Sequence, residues 1–120
     1  MHFPVTTLAA KRLQLLHQLA PSGTVFGLLA NPTNPAAKSQ TQDAQAAALA
    51  LGLKLVVLNA SSEHEIDASF ITFVKKGVQA VLVSADAFFL NRRDQLVGLT
   101  ARLAVPAMYH LREGTAPKHV

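Results

Sequence analysis

The sequence predicts an α/β domain built on one doubly wound parallel sheet of four strands with helices on both faces, and three observations carry that expectation. Four short runs of continuous apolar character stand at 24–30, 53–59, 78–85 and 105–110, the pattern of strands buried on both sides. Stretches with helical spacing separate them, and one more precedes the first. Helix-starting and helix-stopping residues bound those stretches. The length of 120 residues suits one domain. Half the residues are apolar but only 6% are aromatic, so the core rests on Leu, Val, Ile and Ala, with six Phe as the large fillers.

The leading segment 7–22 is helical over 7–20, with Leu8, Arg12, Leu15, Leu16 and Leu19 as its spaced positions and Pro21-Ser22-Gly23 as its stop. "TVFGLLA" is the first strand. Asn34 then caps a helix with Pro35 at its first position, and Gly52 closes it. "LKLVVLN" is the second strand. Ser62 and Glu65 form a capping box for a helix over 63–76 that buries Ile66, Phe70, Phe73 and Val74 and ends at Lys75-Lys76-Gly77. "VQAVLVSA" is the third strand, 87–103 one helix, and "VPAMYH" the fourth strand, where Pro106 marks a strand start or a sheet edge. The alternating core spans 24–110, with a tail at 111–120. Right-handed crossovers then favour the strand order 2-1-3-4, with a switch point between the first and third strands. Ligands of such sheets bind beyond the carboxyl ends of the strands at the switch.

That edge collects Asn31, Thr33, Asn34, Ser84, Asp86, Tyr109 and Arg112, a set rich in directional hydrogen bonding and the candidate ligand-binding residues. Structural roles compete for each. Asn34 and Asp86 are natural helix caps, with capping favoured for Asp86 and compatible with a ligand contact. Ser84 can satisfy strand-end backbone, and Tyr109 suits a half-buried edge. Arg92 and Arg93 read as a solvated face or a pair with Asp94. Phe88 and Phe89 cannot share a helix face: one belongs to the core, the other to the cleft or a partner surface.

Catalytic and metal-binding patterns are absent. There is no Cys, and His2, His17, His64, His110 and His119 lack metal-ligand spacing. Glu63, Glu65 and Asp67 are explained by a helix start. The first turn is Asn-Pro rather than glycine-rich, and Pro32 and Pro35 each remove an amide donor, which argues against a pyrophosphate cradle. The formal charge is +4 with a pI near 9.9, but Lys and Arg are scattered and no basic block is interleaved with aromatics. The expectation is therefore no nucleic-acid binding. No apolar stretch approaches the roughly 20 residues of a membrane helix, so no membrane insertion is expected.

"NPTNP", "ALGLKLVVLNAS", "SADAFFLNRRDQL" and "VPAMYHLRE" together make residues 7–113 resemble ABC transporter substrate-binding proteins of the periplasmic type I class. The resemblance implies a Rossmann- or flavodoxin-like fold and covers one lobe only. It implies a solute-binding component of an ABC-type importer, here as an isolated or truncated lobe. Such proteins take a small solute, often an amino acid, between two lobes that close like a clamshell and dock on a permease. It implies no covalent chemistry, hence no enzyme and no cofactor, and a periplasmic location. The chain as read shows no signal-peptide pattern, which predicts a cytoplasmic location if it is expressed as given. An alternative is a non-catalytic dimeric interaction module, a homodimer through the exposed lobe face. A third reading, a small flavodoxin-like nucleotide binder, is weakened by the missing phosphate loop.

Overall fold

The computed structural model describes residues 8–108. Its elements run α1 (Leu8–Leu19), β1 (Val25–Ala30), α2 (Ala37–Leu51), β2 (Lys54–Asn59), α3 (Glu63–Lys75), β3 (Ala80–Val83), α4 (Ala87–Asn91), α5 (Arg93–Leu103) and β4 (Ala107–Met108). The strands form one sheet in the order β2-β1-β3-β4, and every pairing is parallel. The expected order and the switch point between β1 and β3 are both present.

Strand alternation sends successive side chains to opposite faces and makes two apolar layers. Phe26, Leu28, Ala80 and Leu82 face α1 and α2, where they meet Leu13, Leu16, Ala44, Ala47 and Ala48. Leu29, Val81 and Val83 face α3, α4 and α5, where they meet Ile66, Phe70, Phe73, Phe89, Leu96 and Leu99. Gly27 sits where β1 and α3 approach closely. A Cβ there would lie 2.6 Å from Cε1 of Phe73.

Three helices stop in the same way, with a left-handed residue after the last turn. Gly52 (φ 72°) ends α2 and Gly77 (φ 73°) follows α3. At the latter, the Gly77 N–H donates to the Val74 carbonyl at 3.1 Å and the Val78 N–H to the Phe73 carbonyl at 3.0 Å. Ala104 (φ 57°) does the same for α5 without being glycine. This closure also shortens β3, because Val78 bonds back to the helix it leaves. Regular pairing begins at Ala80 rather than at residue 78. Pro106 precedes β4, and its carbonyl accepts the Val81 N–H at 2.9 Å, as a proline at a strand start should.

Several local expectations are corrected. The buried face of α1 is Ala10, Leu13 and Leu16, whereas Leu15 and Leu19 are exposed at 48% and 68%. A leucine-rich helix offers two apolar stripes, and only tertiary packing selects one. Val74 is exposed, and Ser69 takes its place on the buried face of α3. The capping box is shifted. Ser62 Oγ accepts the Glu65 N–H as expected, but the Glu65 carboxylate reaches one residue further back, to the Ser61 N–H at 2.8 Å. The single helix expected over 87–103 is two helices broken at Arg92 (φ −102°, ψ 21°). The break lets Arg92 form an ion pair with Glu63, not Asp94. It also lets Gln95 Nε2 donate to the Glu63 carbonyl at 2.8 Å and to Asp67 Oδ1 at 3.0 Å. These partners on α3 lie far off in sequence, and no local spacing announces them. Phe88 does not stand away from the core: half-buried, it packs on the same cluster as Phe89.

Candidate functional site

The Ala30-to-Ala37 turn leaves the carboxyl end of β1, and the Val83-to-Ala87 turn leaves that of the adjacent β3. The two meet through side chains. Asn31 Nδ2 donates to Asp86 Oδ2 at 3.1 Å, and Asn34 Nδ2 donates to Asp86 Oδ1 at 2.7 Å. Asp86 Oδ2 also accepts the Phe89 N–H at 3.1 Å, which caps α4. Within the first turn, Asn31 Oδ1 accepts the Thr33 N–H at 3.1 Å and the Thr33 hydroxyl at 2.8 Å. Asn34 Oδ1 accepts the Ala36 N–H at 2.8 Å, and its carbonyl accepts the Ala37 N–H at 2.9 Å. Asn34 therefore caps this turn and not the helix, contrary to expectation: the N-cap of α2 is Ala36, which makes no side-chain capping bond, and regular helix begins at Ala37, two residues beyond Pro35.

Four of the expected site residues, Asn31, Thr33, Asn34 and Asp86, thus form one connected network spanning fifty-five positions of sequence. Ser84 stands beside it, buried at the end of β3, with its N–H donating to the Leu29 carbonyl at 3.0 Å. Its hydroxyl is buried and finds no partner among the described residues. Tyr109 and Arg112 lie outside the described residues.

Gln40 was not expected here. Its Nε2 donates to the Ala85 carbonyl at 3.2 Å, and its Oε1 is buried without a partner among the described residues. Gln40, Ser84, Leu28, Leu82 and Arg12 line a cavity of about 50 Å³ behind the wall. Burial lowers the pKa of the Arg12 guanidinium from its ordinary value. The sequence carried a signal for Gln40: it stands three and four residues from Ala37 and Ala44, the polar member of the buried stripe of α2. An open depression of about 610 Å³ lies on the other side of the first turn, lined by Pro32, Asn34, Lys38, Gln42, Gln45 and Asn59.

The arrangement offers amide and hydroxyl donors and acceptors at a sheet edge. Among the described residues, no group of three or more His, Asp or Glu is placed to hold a metal, and no helix is long and apolar enough to cross a membrane.

No family model and no curated protein matches the chain. Solved structures do match. The ABC domain in complex with L-Trp from Streptococcus pneumonia superposes with a TM-score of 0.77 at 21% identity, covering 86% of this chain and 35% of that one. The fold is that of one lobe of a substrate-binding protein. The ligand-free, open form of a substrate-binding protein with adhesive properties from Clostridium difficile gives a TM-score of 0.72 at 20% identity, covering 81% of this chain and 32% of that chain. An ABC transporter substrate-binding protein from Desulfitobacterium hafniense in complex with Leu gives 0.57 at 13% identity, covering 84% and 30%. The chain spans about a third of the length of the solved structures it matches. The likeness expected from the sequence motifs therefore holds at the level of the lobe fold and its α/β architecture.

Proposed function

We propose that this lobe forms one wall of a solute site in an ABC-type import system, and that the solute is a small molecule of the amino-acid kind. The observation that carries the reading is the convergence of the β1–α2 and β3–α4 turns at the switch point, the edge at which open parallel sheets receive ligands. Two of the structures sharing the lobe fold are complexes with L-Trp and with Leu. Thr33, Asn34 and Ser84 supply the hydrogen-bonding groups of the wall, and the buried Asn31 supports it by holding Thr33. Tyr109 and Arg112 follow β4 in sequence and belong to the same proposed set. Binding here is recognition without bond-making. Capture would be completed by a second lobe, with closure drawing on contacts that bridge the two. The working place is the periplasm, and the receiving partner is a permease.

The test is a ¹H–¹⁵N chemical-shift titration of the chain with the twenty L-amino acids, L-Trp and L-Leu first. Shifts gathered at residues 31–36 and 84–89, and weakened in Ser84→Ala, are expected for at least one of them. No response to the whole panel, or shifts placed elsewhere, overturns the amino-acid reading.

A further inference from the structure

We propose that Asp86 is a positioning residue: its carboxylate clamps the two switch-point turns into one unit and is not itself a solute contact. The geometry stands alone, while its meaning for recognition rests on the solute-wall reading above.

A helix cap needs one bond, from Asp86 Oδ2 to the Phe89 N–H. The other two bonds, from Asn34 and Asn31, are surplus to capping and cross between turns. Bonds to an ionised acceptor are the shorter and stronger kind, and the 2.7 Å contact with Asn34 fits that class. The orientation of both amides is fixed from two sides. A carboxylate offers only acceptors, so each Nδ2 must turn toward Asp86. A backbone N–H offers only a donor, so each Oδ1 must turn toward Thr33 or Ala36. Both Asp86 oxygens are engaged, and both amide carbonyls serve their own turn. What remains for a solute is the second amide hydrogen of Asn34, the Thr33 hydroxyl and the Ser84 side, held in the orientation that Asp86 sets.

The clamp makes a donor–acceptor swap informative. In Asp86→Asn, one side-chain oxygen still serves Asn31 and Phe89, but an NH₂ faces the NH₂ of Asn34. In Asn34→Asp, a carboxylate faces a carboxylate. The double variant Asn34→Asp/Asp86→Asn inverts the pair and remakes the bond, with the second oxygen at position 34 still free for the Ala36 N–H. Amide hydrogen exchange on the 120-residue chain reads the result at Thr33, Ala36 and Phe89. Each single variant is expected to speed exchange at Ala36 and Phe89 together by about tenfold, and the double to return within about threefold of wild type. Independent caps instead predict that the double carries both defects, and that outcome overturns the clamp. A single variant that fails to fold supports the clamp if the double folds, and counts against it if the double fails as well. For any L-amino acid that binds wild type, affinity is expected to fall in Asp86→Asn, which leaves Asn34 its amide; affinity equal to wild type in that variant overturns the positioning role. A wild type that binds none of the panel removes the solute reading, and exchange alone then decides the clamp.

Discussion

Asn31 was legible in the sequence as a polar residue ending an apolar strand, and Asp86 as the residue before a helix. Their contact was not, because a side-chain pair fifty-five positions apart leaves no local mark. Only the parallel pairing of β1 with β3 sets the two strand ends side by side. Gly27 shows the same divide. In sequence it is one small residue inside an apolar run, and in the fold it is the point where β1 accepts the Phe73 ring. Gly27→Ala would place a Cβ 2.6 Å and 2.8 Å from two atoms of a fully buried ring. Overpacking of this kind costs typically about 1–3 kcal/mol, so thermal unfolding of Gly27→Ala should show a clear loss. An unchanged midpoint would mean that Phe73 has room to move.

At the scale of elements, caps were the most readable features, since their chemistry is local. Ser62, Gly52 and Gly77 all act at the ends where the sequence put them. Asn34 is one exception, since it caps the turn before α2 and not α2 itself, and Ala104 is another, the sole non-glycine residue at positive φ among the described residues. Ala104→Gly should relieve its left-handed strain and raise stability by up to about 1 kcal/mol, read as a higher denaturant midpoint at unchanged slope. Glu65 gives the start of α3 a pH dependence. The Ser61 N–H, then the Ser61 hydroxyl, hold its carboxyl below the ordinary value. The folded pKa is thus depressed, so the stabilisation is present above the unfolded carboxylate pKa of about 4.3 and is lost as pH falls through the folded value. Glu65→Gln should therefore unfold more easily than wild type at neutral pH, with the gap closing on acidification. A gap that stayed constant from pH 7 to pH 3 would refute this assignment. The break at Arg92 left no decisive mark in the sequence: Asn91 beside it is a weak helix former, but so are Val97 and Thr100, where α5 runs on, and at the break Arg92 and Gln95 meet partners on α3.

At the scale of the molecule, the two apolar layers share one sheet. Phe26 and Leu28 belong to one layer and Leu29 to the other, on a single six-residue strand. Neither layer has its own backbone to fall back on, so Leu13→Ala and Phe70→Ala, on opposite faces, should lower one common transition. Truncations of buried Leu and Phe cost about 2–5 kcal/mol. Calorimetry of wild type should give equal calorimetric and van't Hoff enthalpies; two separable transitions, each sensitive to one substitution, would contradict a single cooperative unit. The Cα radius of gyration, 13.1 Å, is what about 100 residues reach when folded as one body.

Sequence by itself determined the alternation of strands and helices, the parallel sheet, its order and its switch point. Those follow from periodicity, punctuation and the handedness of crossovers, all local or chiral constraints. It also placed Asn31, Thr33, Asn34, Ser84 and Asp86 at one edge, since each ends a strand or begins a turn there. Tertiary structure alone decided which leucine stripe of α1 is buried, where the last helix breaks, that Gln40 reaches Ala85, and that Asp86 spends both oxygens on two asparagines and a backbone amide. Each of those depends on groups far apart in the chain. Packing and hydrogen-bond satisfaction settle such choices only once the sheet has brought the strand ends together.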